Sequence, residues 1–190
     1  MHTIHHTRAF IVKSADSGEA NKMIWLFTEE FGLVVAKVQG IRKEGSKLRP
    51  HLLDYTFIDV DLVKGREVWR LISAKVDINP FVGEYDELRA RSYIRALGLV
   101  SRLCIEEGEE IELFKHLYKV LQTLKTPSVN NQFFDAIVLW KVLVILGYLE
   151  VEEGMKELFE KDLLEITDTP KSALKEIIKD VTDAINRTHL

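Results

Sequence analysis

Around Asn79-Pro80-Phe81 the apolar period of this chain switches from that of strands to that of helices. The switch confines the fold to a β-rich segment followed by a helical one. Upstream lie five short runs rich in β-branched and aromatic residues, RAFIVKS, MIWLFT, LVVAKVQ, LDYTFIDVDL and VWRLISAK. Turn signals at Asp16-Ser17-Gly18, Phe31-Gly32, Gly40 to Pro50 and Lys64-Gly65 bound them, because glycine reaches positive φ and proline fixes φ while removing a donor. Five strands joined by short turns predict a small closed or partly open barrel over 1–80, and 81–190 reads as a helical domain. The class is α+β.

In the fourth run Thr56, Ile58, Val60 and Leu62 form the inward face, and Tyr55, Phe57, Asp59 and Asp61 the outward one. Met23 to Thr28 is apolar on both faces, so Trp25 and Phe27 are expected to pack beneath the helical half rather than to stack on bases. Met1 to Thr7, with His2, His5 and His6, reads as a solvated, frayed terminus. Helical spacing links Leu88, Leu97, Val100, Leu103 and Cys104, then Ile111, Phe114, Leu117, Tyr118, Leu121 and Leu124. A third helix is predicted from about Asn130 to Leu146 with Gly147 as its stop, and a shorter element around Met155, Leu158 and Phe159. The last helix is predicted with Thr169 as cap, Pro170 at its first position, and a stripe of Leu174, Ile177, Ile178, Val181 and Ile185.

Formal net charge is −4, which would disfavour a polyanion-binding role if it were evenly spread. Residues 1–80 instead hold 12 Lys and Arg against 10 Asp and Glu, whereas 81–190 hold 14 against 20. The excess concentrates at Lys37, Arg42, Lys43, Lys47 and Arg49, with His51 following and Glu44 the one acid among them. A mobile basic loop of this kind is a natural phosphate contact. Lys13, Lys22, Arg66 and Arg70 lie near strand ends from which they could join it on one groove. Taken singly, Lys13, Lys22 or Lys64 reads instead as a lysine that blunts a strand edge and keeps the surface soluble. In the acidic half Arg91, Arg95 and Arg102, with Gly98 between them, fall along one helical stripe suited to an acidic partner peptide. Pairing of Arg91 with Glu87 and of Arg102 with Glu106 would explain two of them without a partner.

Catalytic patterns are not evident. The chain carries no Gly-rich phosphate loop with its lysine, no GxSxG, no HExxH and no acid-histidine cluster at metal spacing, so no catalytic residue, metal or cofactor is expected. Cys104, the single cysteine, is flanked by Leu103 and Ile105 and reads as a buried, inert thiol in a reducing cytoplasm. The most apolar window, Ala136 to Leu149, contains Lys141 and is too short to span a bilayer. No secretory signal opens the chain.

The string RAFIVKSADSGEANKMIWLFTEEFGLVVAKVQGIRKEGSKLRPHL, followed by the Gly65-Arg66 turn, resembles the start of the RecO recombination mediator family. The matching elements are Asp16 to Ala20, Phe27-Thr28, Glu29-Glu30, Gly32 and the basic loop from Gly40 to Arg49, and a looser likeness extends to Leu146-Gly147-Tyr148. The resemblance implies an N-terminal OB-fold and a helical second domain in a cytoplasmic, nucleoid-associated factor of recombinational DNA repair. Such factors bind single- and double-stranded DNA, anneal complementary strands, and act with single-strand-binding protein and RecR in loading recombinase. Many relatives place a four-cysteine zinc motif after the segment matching Tyr148. Leu149 to Leu164 has no cysteine, so zinc is not carried over.

Overall fold

The computed structural model describes residues 3–104, 108–126, 133–163 and 170–188. They group into two compact units, one of residues 1–80 with 100–114, the other of 81–99 with 115–190. In the first, β1 (Ile4–Ser17), β2 (Asn21–Thr28), β3 (Gly32–Val38), β4 (Phe57–Val63) and β5 (Trp69–Ile78) form a closed barrel in the order β1-β2-β3-β5-β4. All pairings are antiparallel except β3 with β5, which is parallel. This is the five-stranded Greek-key barrel of the OB-fold, followed by helices as the α+β class requires.

The inward set is an alternating one. Ile24 and Leu26, Val34, Ala36 and Val38, and Ile58, Val60 and Leu62 meet Ala9, Ile11, Trp69 and Leu71 in one core. Thr56 is also buried, as its parity demands. Strand β1 begins at Ile4, so the expectation of a frayed terminus over Met1 to Thr7 is corrected for its described part. Ile4 to Phe10 pair with Val63 to Phe57, and the His5 ring packs edge-on against Phe31 and Trp69 at 5.2 and 5.4 Å. In a closed barrel every strand pairs with two neighbours, and the polar IHHT start of β1 conceals its pairing with β4.

Phe57 departs from the alternation. Assigned outward by its parity, it is fully buried, as are Phe10 and Phe27 on the same side of the sheet. The covering group is Phe114, in the first turn of α2, at 5.1 Å from Phe10 and 6.0 Å from both Phe27 and Phe57. Nearby, Gly32 has φ +61°, and a Cβ there would lie 2.1 Å from the Gly108 carbonyl oxygen. Glycine is required by both the dihedral and the space.

The helices are α1 (Glu87–Leu103), α2 (Ile111–Thr123), α3 (Phe134–Ile145), α4 (Lys156–Glu160) and α5 (Lys171–Arg187), with a 3₁₀ turn at Glu153–Met155 before α4. Residues 100–103 of α1 and 111–114 of α2 belong to the first unit. Gly147 stops α3 as expected, in the left-handed region at φ +76°, with the Tyr148 N–H donating to the Leu143 carbonyl at 2.8 Å. Pro170 occupies the position before α5 rather than its first turn. The proposed Thr169 cap and the start of the third helix at Asn130 fall outside the described residues. Leu88, Ile111 and Ile178 are exposed although their spacing placed them in apolar stripes. Tyr93, Ala96, Leu113 and Ala184 are buried in those helices.

Polar groups of the second unit are partnered, and among them Arg89 and His116 are buried. Asp86 caps α1 through the N–H groups of Leu88 and Arg89, at 3.0 and 3.1 Å. The Arg89 guanidinium donates to the Thr123 and Thr126 carbonyls at 2.8 and 3.1 Å, closing the end of α2. His116 Nε2 donates to the Val138 carbonyl at 3.2 Å. Burial first, then the charges of Lys141 and Lys119, push its pKa down to about 4 against the opposing pull of that hydrogen bond.

Phe114→Ala is expected to destabilise the protein by about 3–5 kcal/mol, because it removes the cover from three buried rings. Chemical denaturation measures it, and a loss below about 1 kcal/mol would show that the cluster contributes little. A second expectation concerns pH. Below pH 6.5 the unfolded chain protonates His116 while the folded chain resists until about pH 4, so stability falls across that window by up to about 3 kcal/mol. Melting curves between pH 7.5 and 4.5 check this, with His116→Gln flattening the dependence.

Candidate nucleic-acid interface

The basic loop is anchored at both ends by apolar residues. Ile41 and Leu52 are 2% and 4% exposed in the barrel core, so the chain between them is held at one mouth of the barrel with its charges in water. Hydrogen bonds then stitch it to the β1–β2 turn. The Gly40 N–H donates to Asn21 Oδ1 at 3.0 Å, the Arg42 N–H to the Ala20 carbonyl at 3.1 Å, and the Arg42 guanidinium to the Gly18 carbonyl at 3.1 Å. These bonds tie the start of the loop, at Gly40 and Arg42, to the hairpin.

Arg42 also pairs with Asp16 at 3.2 Å. Asp16, Lys22, Arg42 and Arg49 line an open cleft of about 450 Å³ whose floor includes Ile41 and Leu52. Lys22 has the inward parity of Ile24 and Leu26, but at the strand end this parity opens onto the barrel mouth, where its Nζ lies 3.5 Å from Ser14 Oγ. Three of the residues singled out in the sequence thus share one cleft. Lys43 and Lys47 are exposed on the loop outside it.

A second group occupies the outer face of the sheet. Register places Ala15 beside Met23, Met23 beside Lys37, and Lys37 beside Arg70. It also sets Lys13 and Val35 on either side of Trp25. Lys13 Nζ lies over the Trp25 ring, 4.7 Å from its centroid. Trp25 remains only partly buried, contrary to the expectation that it packs away as Phe27 does. Arg66 is exposed in the β4–β5 turn, beside Lys64, whose Nζ lies 5.3 Å from the Trp69 ring centroid.

Elsewhere the barrel has the opposite character. Arg8 donates twice to the Glu29 carboxylate, at 2.9 and 2.7 Å. The pocket of about 310 Å³ beside that pair is lined by Glu29, Glu30, Asp59 and Asp61 together with His6 and Arg8. Its acids repel phosphate. Among the described residues no cluster of His, Cys, Asp and Glu could hold a metal ion, and no helix is long and apolar enough to cross a membrane.

The helical stripe is less open than its spacing suggests. Arg91 and Arg102 are exposed on α1, whereas the Arg95 guanidinium pairs with Asp135 of α3. A Cβ on Gly98 would meet nothing within 4 Å. Cys104 is half-buried, and burial, then Glu110, push its thiol up to about 11. At neutral pH almost none is thiolate.

Residues 1–78 match the family model described as Recombination protein O N terminal. The DNA repair protein RecO of Clostridium kluyveri is 27% identical over 146 residues, which cover 76% of this chain and 56% of that protein. The protein of the same name from Clostridium novyi is 27% identical over 148 residues, covering 77% and 57% respectively. That of Gloeothece citriformis is 28% identical over 152 residues, covering 77% and 53%. This chain spans little more than half the length of these curated relatives.

The Arg42–Asp16 pair is exposed, with side chains 43% and 56% accessible, and such pairs contribute at most about 1 kcal/mol. Arg42→Ala is expected to shift stability by no more than that in a denaturant titration. A larger loss would mark the arginine as part of the barrel's framework rather than of a binding surface.

Proposed function

We propose, from the match of residues 1–78 to the Recombination protein O N-terminal model and the likeness to RecO proteins, that this chain is a RecO-type, non-catalytic DNA-binding protein of recombinational repair. The observation that carries this reading is the convergence of Lys22, Arg42 and Arg49 on one open cleft beside the sheet face bearing Lys13, Lys37 and Arg70. Ammonium and guanidinium groups so placed can follow a phosphate backbone, and Lys43, Lys47 and Arg66 extend the contact from the loop and the β4–β5 turn. Phosphate exchanges readily with Asp16 at Arg42, since the existing pair is weak and solvated. Neutralising two backbones on one surface lowers their repulsion, which is the physical basis for annealing complementary strands. Double-stranded DNA engages the same cations, through phosphate alone.

Within this reading the protein works in the cytoplasm, at the nucleoid, and assists recombinase loading with single-strand-binding protein and RecR. Arg91 and Arg102 are the contacts proposed for an acidic partner segment, and Arg95 joins them only if that segment displaces Asp135. A role as an adaptor that binds such a segment and touches DNA little is the competing reading.

Fluorescence anisotropy of a labelled single-stranded oligonucleotide across a salt series tests the proposal. If seven phosphates are contacted, the log-log slope is about −5, and each contact removed lowers its magnitude by about 0.7. Replacing Arg42, Lys43, Lys47 and Arg49 together with alanine is expected to flatten the slope by about 3. A salt-independent affinity, or one unchanged by the four substitutions, overturns the reading.

A further inference from the structure

We propose that Trp25 is a base-stacking platform, with Lys13 as its placeholder, so that the outer face of β1, β2 and β3 takes an unpaired base of a single strand while the neighbouring cations hold its phosphates. The inference rests on the DNA-binding reading above and specifies which part of the strand this face recognises.

Three observations converge. Trp25 is an aromatic residue left partly accessible in mid-strand, where the adjacent Ile24 and Leu26 are fully buried. Its ring carries Lys13 Nζ at 4.7 Å, so the π-face is turned to where a polar, mobile group can reach it. Two residues along β2, roughly 7 Å away, the row Met23, Lys37 and Arg70 sets two cations side by side. A stacked base and its phosphates therefore find complementary groups at adjacent positions on one surface.

Magnitudes decide the exchange. An exposed ammonium over an indole is worth about 2- to 5-fold in an equilibrium, whereas a base stacked on an aromatic side chain is worth about 5- to 100-fold. The base therefore displaces Lys13 from the ring, and the released ammonium, on its flexible stem, is free to pair with the phosphate attached to that base. The cation–π contact holds the indole in place until then.

The other two tryptophans make the test direct, since Trp69 and Trp140 are 3% and 1% exposed. Quenching of intrinsic fluorescence by unlabelled oligo-dT thus reports Trp25. The quench is expected to saturate at the oligonucleotide concentration at which anisotropy saturates with the labelled strand. An abasic strand of equal length and a fully paired duplex should bind without quenching. Trp25→Ala is expected to weaken oligo-dT binding about 5- to 100-fold and to leave abasic binding unchanged, and Trp25→Phe to retain most of the affinity. Unchanged melting temperatures for both variants would exclude loss of folding as the cause. Binding without quench and without loss in Trp25→Ala overturns the stacking proposal and leaves phosphate contact standing. Absence of binding by the unaltered protein at low salt overturns both.

Discussion

The barrel depends on its shortest seam. β3 and β5 meet in parallel over only Ala36 with Trp69 and Lys37 with Arg70, a contact too brief to hold by backbone hydrogen bonds alone. Side chains secure it from within: the buried Trp69 indole lies 5.0 Å from Phe31 and 5.4 Å from His5, drawing β1, the β2–β3 turn and β5 together. The alternation that sends Trp69 inward sends Arg70 outward, and the same register sets it beside Lys37. Like charges on adjacent strands destabilise a sheet. The closure therefore sets two like charges side by side on the outer face, and the proposed phosphate contact would relieve their repulsion.

Charge is used differently in the helical unit. The buried Arg89 supplies donors to the carbonyls ending α2 and lies 5.1 Å from the Phe134 ring centroid. Lys141 is also buried, donating to the Lys161 carbonyl at 2.7 Å, and desolvation lowers its pKa to about 8. Losing either partner would leave a buried polar group unsatisfied, which is far more damaging than loss of a solvated pair. These cations hold structure. Those of the barrel loop stand in water, where removing one leaves nothing buried and unpaired.

Much of the barrel was legible because its core follows strict alternation: Thr56, Ile58, Val60 and Leu62 are all buried as read, and Gly18, Gly32 and Gly40 mark turns through positive φ. Where the reading failed, a tertiary contact outweighed a local pattern. Phe57 has the outward parity but lies beneath Phe114, 57 residues further along the chain, and no window of sequence contains both. The polar start of β1 lacks a strand signal because its stability comes from pairing with β4. Leu88 and Ile178 fit helical stripes, yet a stripe states only which face is apolar, not where along the helix the neighbour ends. At the candidate interface the basic residues were visible as a cluster. The tie from Arg42 to Asp16 was not, because it joins a loop to a hairpin turn that only the closed barrel brings together.

Anchoring and contact are thereby separated in the loop itself. Ile41 and Leu52 are buried, and their removal from water contributes on the order of 1.5–3 kcal/mol each, so they fix where the loop begins and ends. Between them the contacts that orient the charges are weak: an exposed ion pair at Arg42, and across the turn an ammonium resting on Trp25. An ammonium or guanidinium already committed to a strong internal partner could not exchange it for phosphate without loss, and one with no partner would sample many orientations. Weak contacts on a fixed frame avoid both penalties, since they limit the ordering entropy of binding while leaving little to break. Under the proposed function, the acidic pocket at Glu29 and Asp61 would act in the same direction from another part of the surface, by repelling a polyanion there.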